Sequence, residues 1–237
     1  MTTTGIDPLN ELLTNSPVHR GLDDHPFFRR LETRPLTVGA VAVLLGQWWH
    51  PLHYFPTFLA RCAAVLPDIA SKSAVVHILN QETGDGDAAR AHEVIYVDTM
   101  ERAGFDPALV TAAQALPETV ALLAGYERAS ATETGARGFI FATEVTDLRM
   151  VSGIGAAVER AAGNRDLEWV RIHVEQEPDH VDDASRAVFR EVDDTQARRV
   201  IDAAEQMWRL WTAFFDRLDA ELAAPLPERD ASPAARR

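Results

Sequence analysis

The chain has 237 residues, of which 46 % are hydrophobic and 25 % charged, ordinary values for a globular protein with one sizeable core. A formal net charge of -13 argues against nucleic acid, because a phosphate backbone repels an acidic surface. The same sign disfavours an anionic membrane, and the longest apolar run, Leu36 to Trp49, is too short to span a bilayer and carries Gln47. Cys62 is the single cysteine, so no internal disulfide forms. With no basic region followed by an apolar stretch in Met1 to Pro8, the expected setting is the cytoplasm.

Strand signals are nearly absent and helix signals recur throughout, which predicts an all-α fold. Asp7-Pro8 opens a short helix through Leu13, and Asp24 caps a helix from His25 to about Thr33. Thr37 starts a long helix reaching towards Leu66, which Pro51 and Pro56 should interrupt and kink. Asp68 caps a segment that runs to Glu82. Thr83-Gly-Asp-Gly-Asp87 is a break, and Asp87 restarts a helix ending at Gly104. Leu109 to Ala129 supplies one or two shorter helices around Pro117. A long periodic segment, about Thr134 to Ala162, stops at Gly163-Asn164. Asp166 caps the next helix, to about Val192, and Asp194 or Thr195 caps a last one ending near Leu222. The expected organisation is a lead over residues 1–24, one helical domain over 25–222, and a disordered tail over 223–237 that carries three prolines.

The sharpest local pattern is His173-x-x-x-Glu177-x-x-His180, whose spacings place three side chains on one face of a helix. Imidazole with carboxylate suits iron, manganese or zinc, and the competing reading is a surface helix that happens to carry two histidines. Glu144 lies in the apolar run Gly138-Phe-Ile-Phe-Ala-Thr-Glu144-Val. A carboxylate there costs several kcal/mol if left unpaired, so it needs either a cation or a buried arginine. Glu82 ends another apolar run, and His92 follows ten residues later. On an uninterrupted helix the two would sit about 80° apart, but the Gly84 and Gly86 break lets the second helix swing round. Pro178 removes a backbone donor directly beside Glu177 and weakens the helix there.

Glu82-Thr-Gly-Asp-Gly-Asp-Ala-Ala-Arg-Ala-His92, a lone Glu144 on a long helix, and His173-x3-Glu177-x2-His180 together resemble the haem-oxygenase-like di-iron oxidases. The run Gln47-Trp-Trp-His50-Pro-Leu-His53-Tyr-Phe-Pro56 is similar to the helix before the first ligand in that family, and the likeness covers roughly residues 25–215. It implies a haem-oxygenase-like bundle of about seven helices with two Fe(II) ions held by Glu82, His92, Glu144, His173, Glu177 and His180. It also implies O2 as co-substrate. Two departures stand out. The usual third-helix carboxylate is Asp, and here it is Glu177. Members that oxygenate amine nitrogens carry a further Glu on the helix before Glu82, whereas no acidic residue occurs between Val38 and Leu66, which argues against N-oxygenation.

Gln47, His50, Tyr54 and Thr57 form a polar stripe at helical spacing, either satisfied core groups or, as preferred here, the wall of a substrate pocket. Arg149 and Arg171 lie near ligands in sequence and either clamp a substrate carboxylate or make surface ion pairs. By resemblance, the expected activity is C–H oxidation of a small aliphatic amino acid such as isoleucine, by desaturation or by ring closure to an azetidine, as in antibiotic biosynthesis. N-oxygenation, C–C-cleaving desaturation, metal storage, and a metal-independent thiaminase-II-like or regulatory role are the alternatives. The expected partner is a small molecule, a free amino acid by preference, with a homodimer left open.

Overall fold

The computed structural model describes residues 9, 11–34, 36–188 and 193–223, with the side chains of 177, 178, 187 and 188 outside that set. The expected tail, from residue 224 onward, also lies outside it, as does the start of the lead. Ten α-helices follow in order among the described residues: α1 Pro17–Asp23, α2 Pro26–Thr33, α3 Val38–Val65, α4 Ile69–Glu82, α5 His92–Arg102, α6 Pro107–Thr111, α7 Pro117–Ala129, α8 Glu133–Ala162, α9 Glu168–Val188 and α10 Asp194–Ala223. The fold is all-helical, and seven of the ten are eleven residues or longer and make the bundle. No helix of the described residues is long and apolar enough to cross a membrane.

Local chemistry accounts for most of the boundaries. Thr37, Asp68 and Thr132 each accept a hydrogen bond from a first-turn amide of α3, α4 and α8, and Asp193 accepts two at the start of α10. Proline occupies the first position of α1, α2, α6 and α7, where its missing donor costs nothing. Gly163 ends α8 with φ 73°, in the left-handed region.

Four expectations need correction. The segment expected as a helix through Leu13 is instead a π-turn over Glu11–Asn15, and α1, which the reading passed over, follows it with Ser16 as cap. α2 is capped by His25 rather than Asp24. α3 runs unbroken through Pro51 and Pro56: tertiary packing on its buried face holds the helix despite the lost donors. Asp87 caps only a single 3-10 turn, Ala88–Arg90, and α5 begins at His92 itself. α9 likewise continues through Pro178.

α8 is the axis of the molecule, packed against α2, α3, α7, α9 and α10. Its glycines let neighbouring backbones approach. A Cβ on Gly138 would lie 2.5 Å from the Val200 carbonyl oxygen and 2.7 Å from the Ala203 Cβ. Replacing Gly138 with Val should therefore force α8 and α10 apart and lower stability by about 3 kcal/mol or more, measurable as a reduced urea midpoint with unchanged slope. The N-terminal segment is tied to α10: Leu12 and Leu22 are buried, Ser16 donates to Glu205 at 2.8 Å, and His25 meets Asp216 at 3.2 Å.

Candidate metal centre

Four helices deliver the site. Glu82 is the last residue of α4 and His92 the first of α5, so the intervening turn sets their relative placement. That turn reverses sharply through Gly84, Asp85 and Gly86, all with positive φ, and a Cβ on Gly84 would sit 2.2 Å from the Asp87 carbonyl oxygen. Glu144 comes from the middle of α8, and His173 and His180 from one face of α9. Each of these five side chains is no more than 5 % exposed. Glu177 lies on the same turn sequence of α9, but its side chain is outside the described residues.

The ligating atoms of Glu82, His92 and His173 all fall within 4.8 Å of one another. His92 Nδ1 stands 3.1 Å from Glu82 Oε2. His180 Nδ1 stands 3.3 Å from Glu144 Oε2 and 4.0 Å from Glu82 Oε1. Glu82 thus has His92 against one carboxylate oxygen and His180 against the other. Glu144 has a histidine for its charged neighbour, not the arginine that was the competing reading.

Two of the imidazoles are oriented by neighbours. The His173 Nδ1–H donates to the Trp169 carbonyl at 2.7 Å, leaving Nε2 free to ligate. Burial, then the charge of His92, holds His173 down at about 4, so it stands neutral. His92 Nε2 meets Gln176 Oε1 at 2.9 Å, which leaves Nδ1 for the interior. Gln176 was not legible as part of the site, since nothing marks a polar residue on α9 as the holder of a histidine 84 residues away. Gln176→Leu should weaken metal affinity about tenfold to hundredfold while leaving the helix intact, readable by competition with a chelating dye.

Burial and mutual repulsion dominate the charges. Burial pushes the Glu144 carboxyl up, with Glu82 adding to the effect and His180 opposing it. Burial also acts against a charged Glu82, but His92 and the other two histidines outweigh it and bring its carboxyl down to about 2. His180 is disfavoured as an imidazolium by burial, yet its hydrogen bond to Glu144 and the surrounding carboxylates lift it to about 9. His92 is raised for the same reason, by Glu82. Carboxylates packed this way hold protons on histidines that would otherwise be neutral.

The buried cluster of Glu82, His92 and His173 could hold a metal ion. His92 Nδ1, His180 Nε2 and Glu144 Oε1 are buried without a hydrogen-bond partner among the described residues, and such atoms are costly unless something else engages them. His92 Nδ1 and Glu82 Oε2, 3.1 Å apart, would hold an ion together. Mixed imidazole and carboxylate is a donor set for iron, manganese or zinc.

A narrow cavity opens against this centre. Its volume is about 30 Å³. It is lined by Trp48, Pro51, Leu52 and Phe55 of α3, Tyr126 of α7 and Trp211 of α10, together with Glu82, Thr143, Glu144, Asp147 and His173. The polar stripe on α3 is not among them. Gln47 instead accepts from Leu116 N and Thr119 Oγ1 and donates to the Gln114 carbonyl, so its amide is satisfied in the core. His50 meets the Ala113 carbonyl at 3.0 Å, Tyr54 donates to Glu127, and Thr57 is exposed. The adjoining face of the helix, at positions 48, 51, 52 and 55, turns to the cavity. Arg149 pairs with Glu32 at 2.6 Å and Arg171 with Glu175 at 3.1 Å, and neither lines the cavity. Asp147, one turn beyond Glu144, does, and the sequence reading missed it although its i+3 spacing was visible.

The sequence pattern of a family described as iron-containing redox enzymes matches residues 42–212. No curated protein compared with the chain matches it in sequence. Among solved structures, a CADD-like protein of unknown function from Nostoc punctiforme is similar at a TM-score of 0.77 and 16 % identity, over 91 % of this chain and 96 % of that one. A domain of unknown function with a heme oxygenase-like fold from Shewanella denitrificans gives 0.70 and 17 %, over 86 % and 88 %. A TenA homolog from Pseudomonas syringae pv. tomato gives 0.72 and 13 %, over 90 % and 91 %. At such identities these likenesses speak for the fold, which is haem-oxygenase-like. The family pattern spans the stretch from the cavity-lining turn of α3 through the clustered histidines and carboxylates of the site to Trp211, and by that match the chain belongs to the iron-containing redox enzymes.

Proposed function

We propose that the chain is an O2-dependent di-iron oxidase that breaks C–H bonds of a small aliphatic amino acid, isoleucine or a near analogue, by desaturation or by ring closure to an azetidine. The observation that carries this reading is the convergence of Glu82, His92, Glu144, His173 and His180 in the interior, with Glu82, Glu144 and His173 lining a largely apolar cavity. Glu177 is proposed as the sixth ligand, on the family resemblance. Two Fe(II) ions held there supply electrons to O2 and the oxidising power for C–H cleavage. The chain's own part is positional. His173 is kept neutral by burial and aimed by the Trp169 carbonyl. His92 is aimed by Gln176, and Trp48, Leu52, Phe55 and Trp211 keep water from an aliphatic chain at the site. In its ring-closing form the chain resembles the isoleucine oxidase of antifungal nucleoside biosynthesis.

The cysteine-dependent alternative has little support. Cys62 is fully buried in α3, and burial pushes its thiol well above the usual range, so it offers no nucleophile. The test is to load the protein with Fe(II) without air, count iron per chain, and add oxygenated buffer with a panel of free amino acids. The expected result is O2 uptake stimulated by a branched aliphatic amino acid, with a product lighter by two hydrogen atoms. A product heavier by one oxygen atom would indicate oxygenation instead. Bound iron with no substrate-stimulated uptake would mean storage or delivery and would overturn the proposal.

A further inference from the structure

Asp147 is a carboxylate for which the metal-ligand pattern has no use. It lies three residues beyond Glu144, one turn along α8, and so faces the same interior. Its side chain is only 16 % exposed and lines the cavity. Among the described residues it makes no hydrogen bond; the neutral His173 approaches it, Nε2 to Oδ2 at 3.9 Å, and Glu82, Glu144, His92 and His180 lie beyond. A carboxylate in an apolar enclosure without a donor is costly, and the cost is removed by a cation or by donors that a ligand brings. No lysine or arginine lines the cavity, so no side chain on its walls donates to Asp147.

The remaining walls state what kind of ligand would supply them. Trp48, Leu52, Phe55 and Trp211 offer only apolar contact over most of their surface, suited to an aliphatic body. An acidic end and an apolar body are complementary to an ammonium group on a branched or linear alkyl chain. They are less suited to a fatty acid, whose carboxylate would meet Asp147 and Glu144 with no lysine or arginine lining the cavity. We propose that this cavity takes an aliphatic primary amine and that Asp147 accepts the hydrogen bonds of its ammonium group. The inference rests on the cavity being the working pocket of the oxidase, and it narrows the substrate class to amine-bearing molecules, free amino acids included. An ammonium held at Asp147 also leaves the nearest carbons of the chain beside Glu82, Glu144 and His173, where oxidation would take place.

The test uses the full chain under anaerobic conditions, loaded with Mn(II), and three calorimetric titrants: isoleucine, the amine that lacks its carboxyl group, and the acid that lacks its amine. Isoleucine and the amine should bind, and the acid should bind at least about tenfold more weakly. In Asp147→Asn the first two should weaken by about tenfold to hundredfold while the acid is unchanged and the metal count per chain stays that of the unaltered protein. Acid binding as tightly as the amine would overturn the inference, and so would a variant that loses metal, which would make Asp147 a ligand. The titrant series on the unaltered protein decides the matter even if the variant fails to fold. A protein that takes up no metal but still prefers the amine would sink the oxidase reading and leave Asp147 as the ammonium acceptor.

Discussion

Glu144→Gln is expected to lower bound iron to one ion or fewer per chain and to cut substrate-stimulated O2 uptake at least about a hundredfold, since loss of even an outer partner costs tenfold to hundredfold. The amide keeps the shape of the side chain but not the charge that two divalent ions require. The fold should survive the change. In the metal-free protein burial, with its neighbour Glu82, disfavours Glu144 as an anion. Two such charges about 5 Å apart cost roughly 3 kcal/mol at an effective dielectric near 20. The metal-free variant relieves that repulsion but gives up the charged partner of His180, so its stability should lie within about 1–2 kcal/mol of metal-free wild type. Wild type alone should gain fully on loading, by about 2.7 kcal/mol at a metal concentration a hundred times Kd. Paired urea titrations with and without Mn(II) read both effects. A metal-free variant that is strongly destabilised would show that Glu144 serves packing and not ions.

Metal uptake should also depend steeply on pH. His180 is held protonated by Glu144, Glu82 and Asp147 up to about 9, and His92 is raised by Glu82. A metal ion needs the neutral imidazole, so each ion that binds at such a histidine releases a proton. The apparent affinity should rise about tenfold per pH unit for each proton released, between about pH 6 and pH 8. Stability of the metal-free protein should follow the opposite course on the alkaline side. The folded value of His180 lies above its ordinary 6.5, so its contribution is fully present below pH 6.5 and is lost as pH rises through about 9. The shift corresponds to at most about 3 kcal/mol. Glu82, held down at about 2, acts in the other direction: its contribution is present above about 4.5 and disappears only as pH falls through 2. Urea unfolding at pH 6.5 and pH 9 should show the alkaline loss without metal and little of it with Mn(II) bound. Equal stability at both values in metal-free protein would contradict the charge state assigned to His180.

Much of this molecule is written locally. Thr37, Asp68 and Gly163 mark helix ends by chemistry that acts within one turn, and the structure keeps all three. The helical spacing of His173 and His180, and the cost of leaving Glu82 and Glu144 charged in apolar runs, single out residues that the structure brings to one buried point. A buried charge is legible in sequence because little else explains it.

Other features depended on partners far along the chain. Gln47 could line a pocket or be satisfied in the core, and the backbone between α6 and α7, 67 to 69 residues away, decides for the core by meeting both ends of its amide. That choice rotates Trp48, Leu52 and Phe55, not the polar stripe, onto the cavity. Asp147 has the same periodicity as many surface acids, and only the packing of α9 and α3 against α8 shows that its carboxylate faces inward. Gln176 acquires a role solely because α5 begins at His92 opposite it. Spacing along one helix specifies which side chains share a face; which face is enclosed, and by what, is set by the helices that pack on it.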